Sequence, residues 1–265
     1  MNQIDQELRK IIEPEGKFSH FESILKCIYF GLIRSDSTVI DVGAQFGLHT
    51  FRFAERIGLD GQIFSFEIVP QFVQHIQKKA AEKYKEPNQI KVFNLAVSNT
   101  DDVVTFYQND KNNGQSTIVE GHGIDFDQTS TSRIQSITLD AFFDFDKIGR
   151  LDFIKCDAES ADFDVLRGAK NLIQAKDPLF IMEFEMDQLG LLGVSKEDFF
   201  NFLETNDFLA YSIDGRPFTN ERIENNDQPF CYEIAVVNKR SDKKNFAEKN
   251  MPSIVWNWIK HTEWH

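Results

Sequence analysis

The stretch Val39-Ile40-Asp41-Val42-Gly43-Ala44-Gln45-Phe46-Gly47 reads as a short buried strand that ends in an acid and a glycine turn and then opens a helix. A second strand, Gln62-Ile63-Phe64-Ser65-Phe66, ends in Glu67. Strand, glycine turn, helix and acid-tipped strand together make one half of a nucleotide-binding α/β sheet. A carboxylate at the second tip can accept hydrogen bonds from both hydroxyls of a ribose, which points to an adenosine-containing ligand.

The glycine spacing decides against a dinucleotide. A pyrophosphate needs glycine at the first and third positions of the turn so that backbone can approach the phosphates. Here Gly43 is followed by Ala44 and Gln45, and the charge of Asp41 beside the turn repels a pyrophosphate. The same arrangement suits S-adenosylmethionine, whose sulfonium and ammonium are positive and which carries no phosphate. Gly43 lets the chain pass close to the methionine portion without a Cβ in the way. An ordinary βα turn is the alternative reading of this segment.

Working outward, strand and helix alternate from residue 39 to about residue 213. Residues 1–34 read as a helical extension divided at Pro14 and Gly16. Helices are expected over about 46–57, 70–84, 140–145, 161–175 and 195–205, and strands at 90–96, 103–107, 136–139, 151–156 and 179–184. Residues 109–131, rich in Asn, Gly, Ser, Thr and Asp, read as a long loop that serves as a lid or substrate-side wall. Two further strand-like runs, 208–213 and 231–237, have no helix between them and should pair as an antiparallel hairpin. The expected fold is therefore Rossmann-like α/β, a mostly parallel seven-stranded sheet closed by an antiparallel strand. The main domain spans 35–238, and the aromatic tail 239–265, with Trp256, Trp258 and Trp264, packs on it or forms a homo-oligomer contact.

Composition narrows the function. Acids outnumber bases 42 to 29, a poor balance for gripping a phosphate backbone, so nucleic acid is not expected as a partner. There is no apolar run long enough to span a bilayer, and the polar N-terminus lacks the apolar core of a secretory signal. Cys27, Cys156 and Cys231 are scattered in apolar contexts and read as reduced thiols. A cytoplasmic protein is expected. No spacing of acids or histidines demands a metal, although Asp157, Glu159 and Glu183 are the set that would offer one.

Several blocks resemble a known family, the FkbM-type methyltransferases. Val39–Thr50 resembles their VIDVGAxxGxxT opening, and Ile63–Pro70 is similar to their second-strand block. Thr138-Leu139-Asp140, Asp152–Glu159 and Val165–Ala169 resemble their TLD…DxIKxDxEGxExxVLxGA signature, and Leu179–Glu183 ends in Met-Glu as theirs does. The likeness covers about residues 35–185. It departs at Ala158 for Val, Ser160 for Gly and Asp162 for Glu. The resemblance implies an S-adenosylmethionine-dependent O-methyltransferase acting on a hydroxyl of a glycan, glycolipid or other small acceptor. The departures motivate a second reading, a catalytically silent cofactor-binding sensor or partner subunit.

Acids at strand tips 41, 67, 157 and 183 would ring the ligand crevice of such a sheet. Expected cofactor contacts are Asp41, Gly43, Ala44, Gln45, Gly47, Glu67, Ile68, Ala96, Val97 and Asp157. In this scheme Asp41 orients Gly43 and the methionine ammonium, Glu67 holds the ribose, and Ala96 and Val97 flank the adenine. Asp157, Glu159 and Glu183 are the candidates for catalysis. Asp41, Glu67 and Asp157 also suit helix capping, and Glu159 suits a first-turn acid beside a helix dipole. His49 is a candidate base or a packed histidine; His75 and His122 are weaker candidates.

Overall fold

A computed structural model describes residues 3–12, 18–84, 89–109, 116–121, 129–184, 186–225 and 233–261. In chain order, α1 (Gln3–Ile12) and α2 (Phe18–Leu32) precede β1 (Thr38–Val42), α3 (Leu48–Arg56), β2 (Gln62–Phe66), α4 (Pro70–Lys83) and β3 (Ile90–Phe93). Next come β4 (Ala96–Val97), β5 (Val103–Asn109), β6 (Ser116–Thr117), β7 (Thr129–Ile137) and α5 (Leu139–Phe142). The second half holds β8 (Phe153–Cys156), α6 (Asp162–Gly168), α7 (Lys170–Lys176), β9 (Leu179–Glu183), α8 (Met186–Leu191) and α9 (Lys196–Thr205). It ends with β10 (Phe208–Ser212), α10 (Asn220–Glu224), β11 (Glu233–Asn238), α11 (Lys243–Asn245), a π-helical turn Phe246–Asn250 and α12 (Met251–His261).

Seven strands form one sheet in the order β10-β11-β9-β8-β1-β2-β3. β3, β2, β1, β8 and β9 run parallel, while β11 is antiparallel to both β9 and β10. The fold class is therefore the expected one, and the hairpin of the two late strands forms as expected. Central strands buried on both faces need near-continuous apolar sequence, and β1 and β8 have it. Val39 and Phe153 face a layer with α2, α3 and α12, whereas Ile40, Val42, Ile154 and Cys156 face α5, α6, α7 and α9.

One polar row breaks this pattern. Asp41 pairs in register with Ser65 on one side and Lys155 on the other. All three are at most 5% exposed, so three adjacent central strands carry a buried polar row one or two residues below their tips.

The structure revises several expected elements. A short helix, α10, does lie between β10 and β11. The helix expected over 161–175 is two, because α6 ends where it abuts backbone: a Cβ on Gly168 would lie 2.0 Å from the Ser98 carbonyl oxygen. The side chain of Asp140, from the Thr-Leu-Asp block, accepts N–H bonds from Asn171 and Leu172 and so caps α7. β7 is longer than the expected 136–139, since Thr129–Gln135 pairs along the whole of β5 before Ser136 and Ile137 pair with β4. Only part of the anticipated loop 109–131 is described, with β6 paired to β5. Ala96–Val97 is not the end of the third strand but a separate strand that pairs with β7.

At the C-terminus, Met251, Val255 and Ile259 are buried in the layer that includes Ile24, Ile28 and Leu8, so α12 covers α1 and α2 of the same chain. Trp256 and Trp258 are half-buried there; Trp264, Cys231 and His122 lie outside the described residues. Cys27 and Cys156 are not in disulfides. No helix among the described residues is long and apolar enough to cross a membrane. Met251 has 0% exposure, so Met251→Ala should destabilise the fold by roughly 2–5 kcal/mol. An unchanged urea midpoint would mean that α12 does not dock.

Candidate functional site

A cleft of about 910 Å³, counted to its open mouth, lies at the carboxyl ends of β1, β2, β4 and β8. Gly43, Ala44, Gln45, Glu67, Ile68, Ala96, Val97, Asp157 and Glu159 all line it, so the fold gathers nine of the expected site residues. Its remaining wall includes Phe72, Leu95, Ser116 and Ile118.

The turn after β1 is shaped by close backbone approach. Gly43 has φ +75°, and a Cβ there would lie 1.8 Å from the carbonyl oxygen of Asp157. The glycine is therefore required by the neighbouring strand tip, whatever the ligand needs. The N–H groups of Gly43 and Ala44 both donate to the Phe66 carbonyl, at 3.0 and 3.1 Å. Gln45, at φ +50°, then turns its own N–H toward the second strand tip.

That N–H meets Glu67. Glu67 Oε2 accepts from Gln45 N at 2.7 Å and Oε1 from Val69 N at 2.8 Å. The Ile68 N–H also pulls on this carboxyl, so of its four acceptor positions at least one is left for a ligand hydroxyl. The capping alternative and the ligand role are thus compatible. Glu67 is only 5% exposed. Burial pushes its carboxyl up to about 7, against the pull of the backbone N–H groups, with the charge of Asp41 adding to the rise.

Asp41 is placed differently from expectation. Its side chain is fully buried, does not line the cleft, and accepts from Thr50 Oγ1 at 2.6 Å. Thr50 in turn lies 2.9 Å from Ser65 Oγ. Asp41 therefore ties α3 to the sheet and does not reach a ligand. Gly47 caps α3 and does not line the cleft either. Glu183 lines a separate small cavity with Ser160, Asp162 and Gln188.

The turn after β8 holds two consecutive non-glycine residues in the left-handed region, Glu159 at φ +48° and Ser160 at φ +77°. This accounts for the glycine usual at position 160 in the resembling sequences. Here the turn is fixed by hydrogen bonds: Asp162 accepts from Ala158 N, and Thr117 Oγ1 donates to the Glu159 carbonyl at 2.6 Å. Asp162 is 2% exposed. Burial, with the charge of Asp157, pushes its carboxyl up to about 7.

Three lining residues went unassigned or under-weighted in the sequence. Lys155 is 5% exposed, and its Nζ lies 3.1 Å from Asp157 Oδ2. Burial pulls its ammonium down, but Asp157, Asp41 and Glu22 more than offset this and keep it charged. Glu22 reaches the cleft from α2 and meets Nε2 of His49, whose Nδ1 is 3.2 Å from Tyr29 Oη. Burial raises the Glu22 carboxyl, and His49, Lys155 and Arg52 together outweigh it, holding the group below its ordinary value. His49 is thus engaged at both ring nitrogens. His75 stands outside the cleft, its ring edge-on to Phe46 at 5.7 Å. A lysine inside the apolar strand Phe153-Ile154-Lys155-Cys156 was the one available sequence signal for this group.

A profile of the methyltransferase FkbM domain matches residues 41–211. The chain belongs to this family of S-adenosylmethionine-dependent methyltransferases. No curated protein matches it. Among solved structures, a methyltransferase FkbM from Methylobacillus flagellatus KT is 17% identical at a TM-score of 0.45, covering 78% of this chain and 45% of its own. The chain thus spans less than half the length of that protein. A putative rRNA methylase from Clostridium thermocellum is 13% identical at a TM-score of 0.45, over 84% of this chain and 95% of the other. The magnesium protoporphyrin IX methyltransferase of Synechocystis PCC 6803 with bound SAM is 14% identical at 0.43, over 90% and 85%.

The raised carboxyls make stability depend on pH. Glu67 and Asp162 hold their protons up to about 7 in the fold, whereas unfolded carboxyls release theirs near pH ~4. The folded state binds more protons between these limits, so stability should fall as pH rises from about 4 to 7. Glu67→Gln should shrink that fall; an identical pH profile of the urea midpoint in both proteins would remove Glu67 from this account.

Proposed function

We propose that the cleft binds S-adenosylmethionine and that the chain transfers its methyl group to a hydroxyl of a glycan, glycolipid or other small acceptor. The observation that carries this reading is the Glu67 carboxylate at the β2 tip. It lines the cleft with acceptor capacity left over, beside apolar Ile68, Leu95 and Val97 suited to a purine face. Carboxylates along the cleft favour a cationic ligand over a pyrophosphate. When bound, the cofactor supplies an electrophilic methyl on a good leaving group.

The chain's own work is then to hold, orient and deprotonate. Glu67 fixes the ribose, Gly43 and Ala44 bring backbone alongside, and Ala96 and Val97 flank the base. Asp157 is paired with Lys155, which suits it to a positioning role. Glu159, on the strained turn, is the candidate to accept the proton of the attacking hydroxyl. Ser116, from the β5–β7 arm, adds a polar contact on the acceptor side. The left-handed backbone at Ser160 keeps the turn that glycine would give, which supports an active site over a silent one.

Calorimetry with the methyl donor and with NAD tests the cofactor. Wild type should bind the donor and not NAD, and Glu67→Ala should weaken the donor by about 1–3 kcal/mol. Tight NAD binding with no donor binding would overturn the reading. For the acceptor step, Glu159→Gln should lower the rate of product formation roughly 10²–10⁴-fold with donor affinity unchanged. Methylated glycan found by mass spectrometry at the wild-type rate would remove Glu159 as the base.

A further inference from the structure

The helix α2 precedes the segment matched by the family profile, yet it supplies part of the cleft wall. Its contribution is Glu22, and that side chain is held from several sides. His49 Nε2 contacts Glu22 Oε2, and Tyr29, one helical stretch further along α2, engages the other ring nitrogen. Arg52 Nη1 donates to the Glu22 carbonyl at 2.9 Å and lies 3.7 Å from Oε2. The Arg52 bond ties α3 to the backbone of α2 and keeps the Glu22 carboxylate at the cleft. Lys155, also lining the cleft, is near enough for the two charges to bias each other's ionisation.

The order of the sheet says which part of a ligand would arrive there. A ligand with its base against Ala96 and Val97 and its ribose on Glu67 enters over β4 and β2. The next strands across are β1 and then β8. What extends beyond the ribose therefore reaches the β1–β8 end, the end walled by α2. On S-adenosylmethionine that remainder is an α-amino acid, which at neutral pH carries one ammonium and one carboxylate. The wall there offers the Glu22 carboxylate and the Lys155 ammonium, with Asp157 already paired to Lys155. Lys155 spends one of its three donors on Asp157, and two remain.

We infer that Glu22 receives the α-ammonium of the methyl donor's amino-acid end, with Lys155 as the partner of its α-carboxylate. His49 is then a positioning residue for Glu22. This assignment rests on the proposed cofactor and adds a point that the family signature does not contain: the N-terminal helix is a functional wall of the site.

The test uses the full chain and two probes that differ only in the relevant group. S-adenosylhomocysteine keeps the amino-acid end; 5′-methylthioadenosine keeps the nucleoside and lacks it. By calorimetry, wild type should bind S-adenosylhomocysteine about tenfold or more tightly than methylthioadenosine, a charge-assisted pair's worth. Glu22→Gln should weaken S-adenosylhomocysteine by about the same factor while leaving methylthioadenosine within roughly twofold. A Glu22→Gln protein that binds S-adenosylhomocysteine as wild type does would overturn the assignment. So would equal weakening of both probes, which would mean that Glu22 only holds α2 in place. Wild type that binds neither probe would overturn the proposed cofactor as well, which separates the two failures.

Discussion

The cleft exists because two strand tips touch backbone to backbone. Asp157 N–H donates to the Val42 carbonyl at 3.1 Å, and the Asp157 carbonyl occupies the space where residue 43 would carry a Cβ. Only glycine can stand there, and only with positive φ does the chain leave β1 in the direction it takes. That direction sends the N–H groups of Gly43 and Ala44 to Phe66 and delivers the N–H of Gln45 to Glu67. Glu67 in turn receives Val69 N–H, which sets the start of α4. The position of the Glu67 carboxylate is thus fixed by a contact on the far side of β1.

Charge is distributed around this contact in an economical way. Burying an ammonium or a carboxylate costs several kcal/mol per ion unless it is paired. Lys155 is buried below the strand tips, and Asp157, Asp41 and Glu22 surround it from β8, β1 and α2. Lys155, with Arg52 beside Glu22, therefore lets three acids approach one another. Asp41 accepts from Thr50 through one oxygen inside the layer, while Asp157 and Glu22 are left at the cleft. Buried charge assembled beside a cavity is where perturbed ionisation and ligand recognition coincide.

How far the sequence disclosed this depends on whether a residue's role is local. β1, its glycine turn, β2 and the late hairpin were legible because strand period and turn residues are read within a few positions. The place of Glu67 on the cleft was legible for the same reason, since it follows the last residue of β2 and is freed from the alternation of the strand. Asp41 was misassigned because it lies inside β1. Alternation puts it on the face of Val39, under α3, where Thr50 claims it. Glu183 was misassigned because an acid at a strand tip says nothing of which cavity that tip faces. Glu22 and Lys155 were missed because their meeting depends on how α2 packs over the sheet, and no spacing within either segment encodes that. The break between α6 and α7 was hidden likewise, being imposed by the Ser98 backbone against Gly168.

The family signature takes on a physical meaning from these placements. Asp140 caps α7, and Asp162 holds the Ala158 N–H. Lys155 pairs with Asp157 at the start of the turn, so Asp140, Asp162 and Lys155 of the signature each hold local structure. What that geometry sustains is a pair of left-handed residues at 159 and 160, a conformation that costs of order 1–3 kcal/mol at each non-glycine position. Such strain persists only where surrounding bonds overdetermine it, here those from Asp162 and Thr117. Thr117 lies on β6, in the arm that also brings Ser116 and Ile118 to the cleft. The turn that presents Glu159 to the cleft is therefore clamped by the element that forms the neighbouring part of the cleft wall. Changes in the β5–β7 arm can then reach both the shape of the cleft and the placement of Glu159, without any change to Gly43 or Glu67.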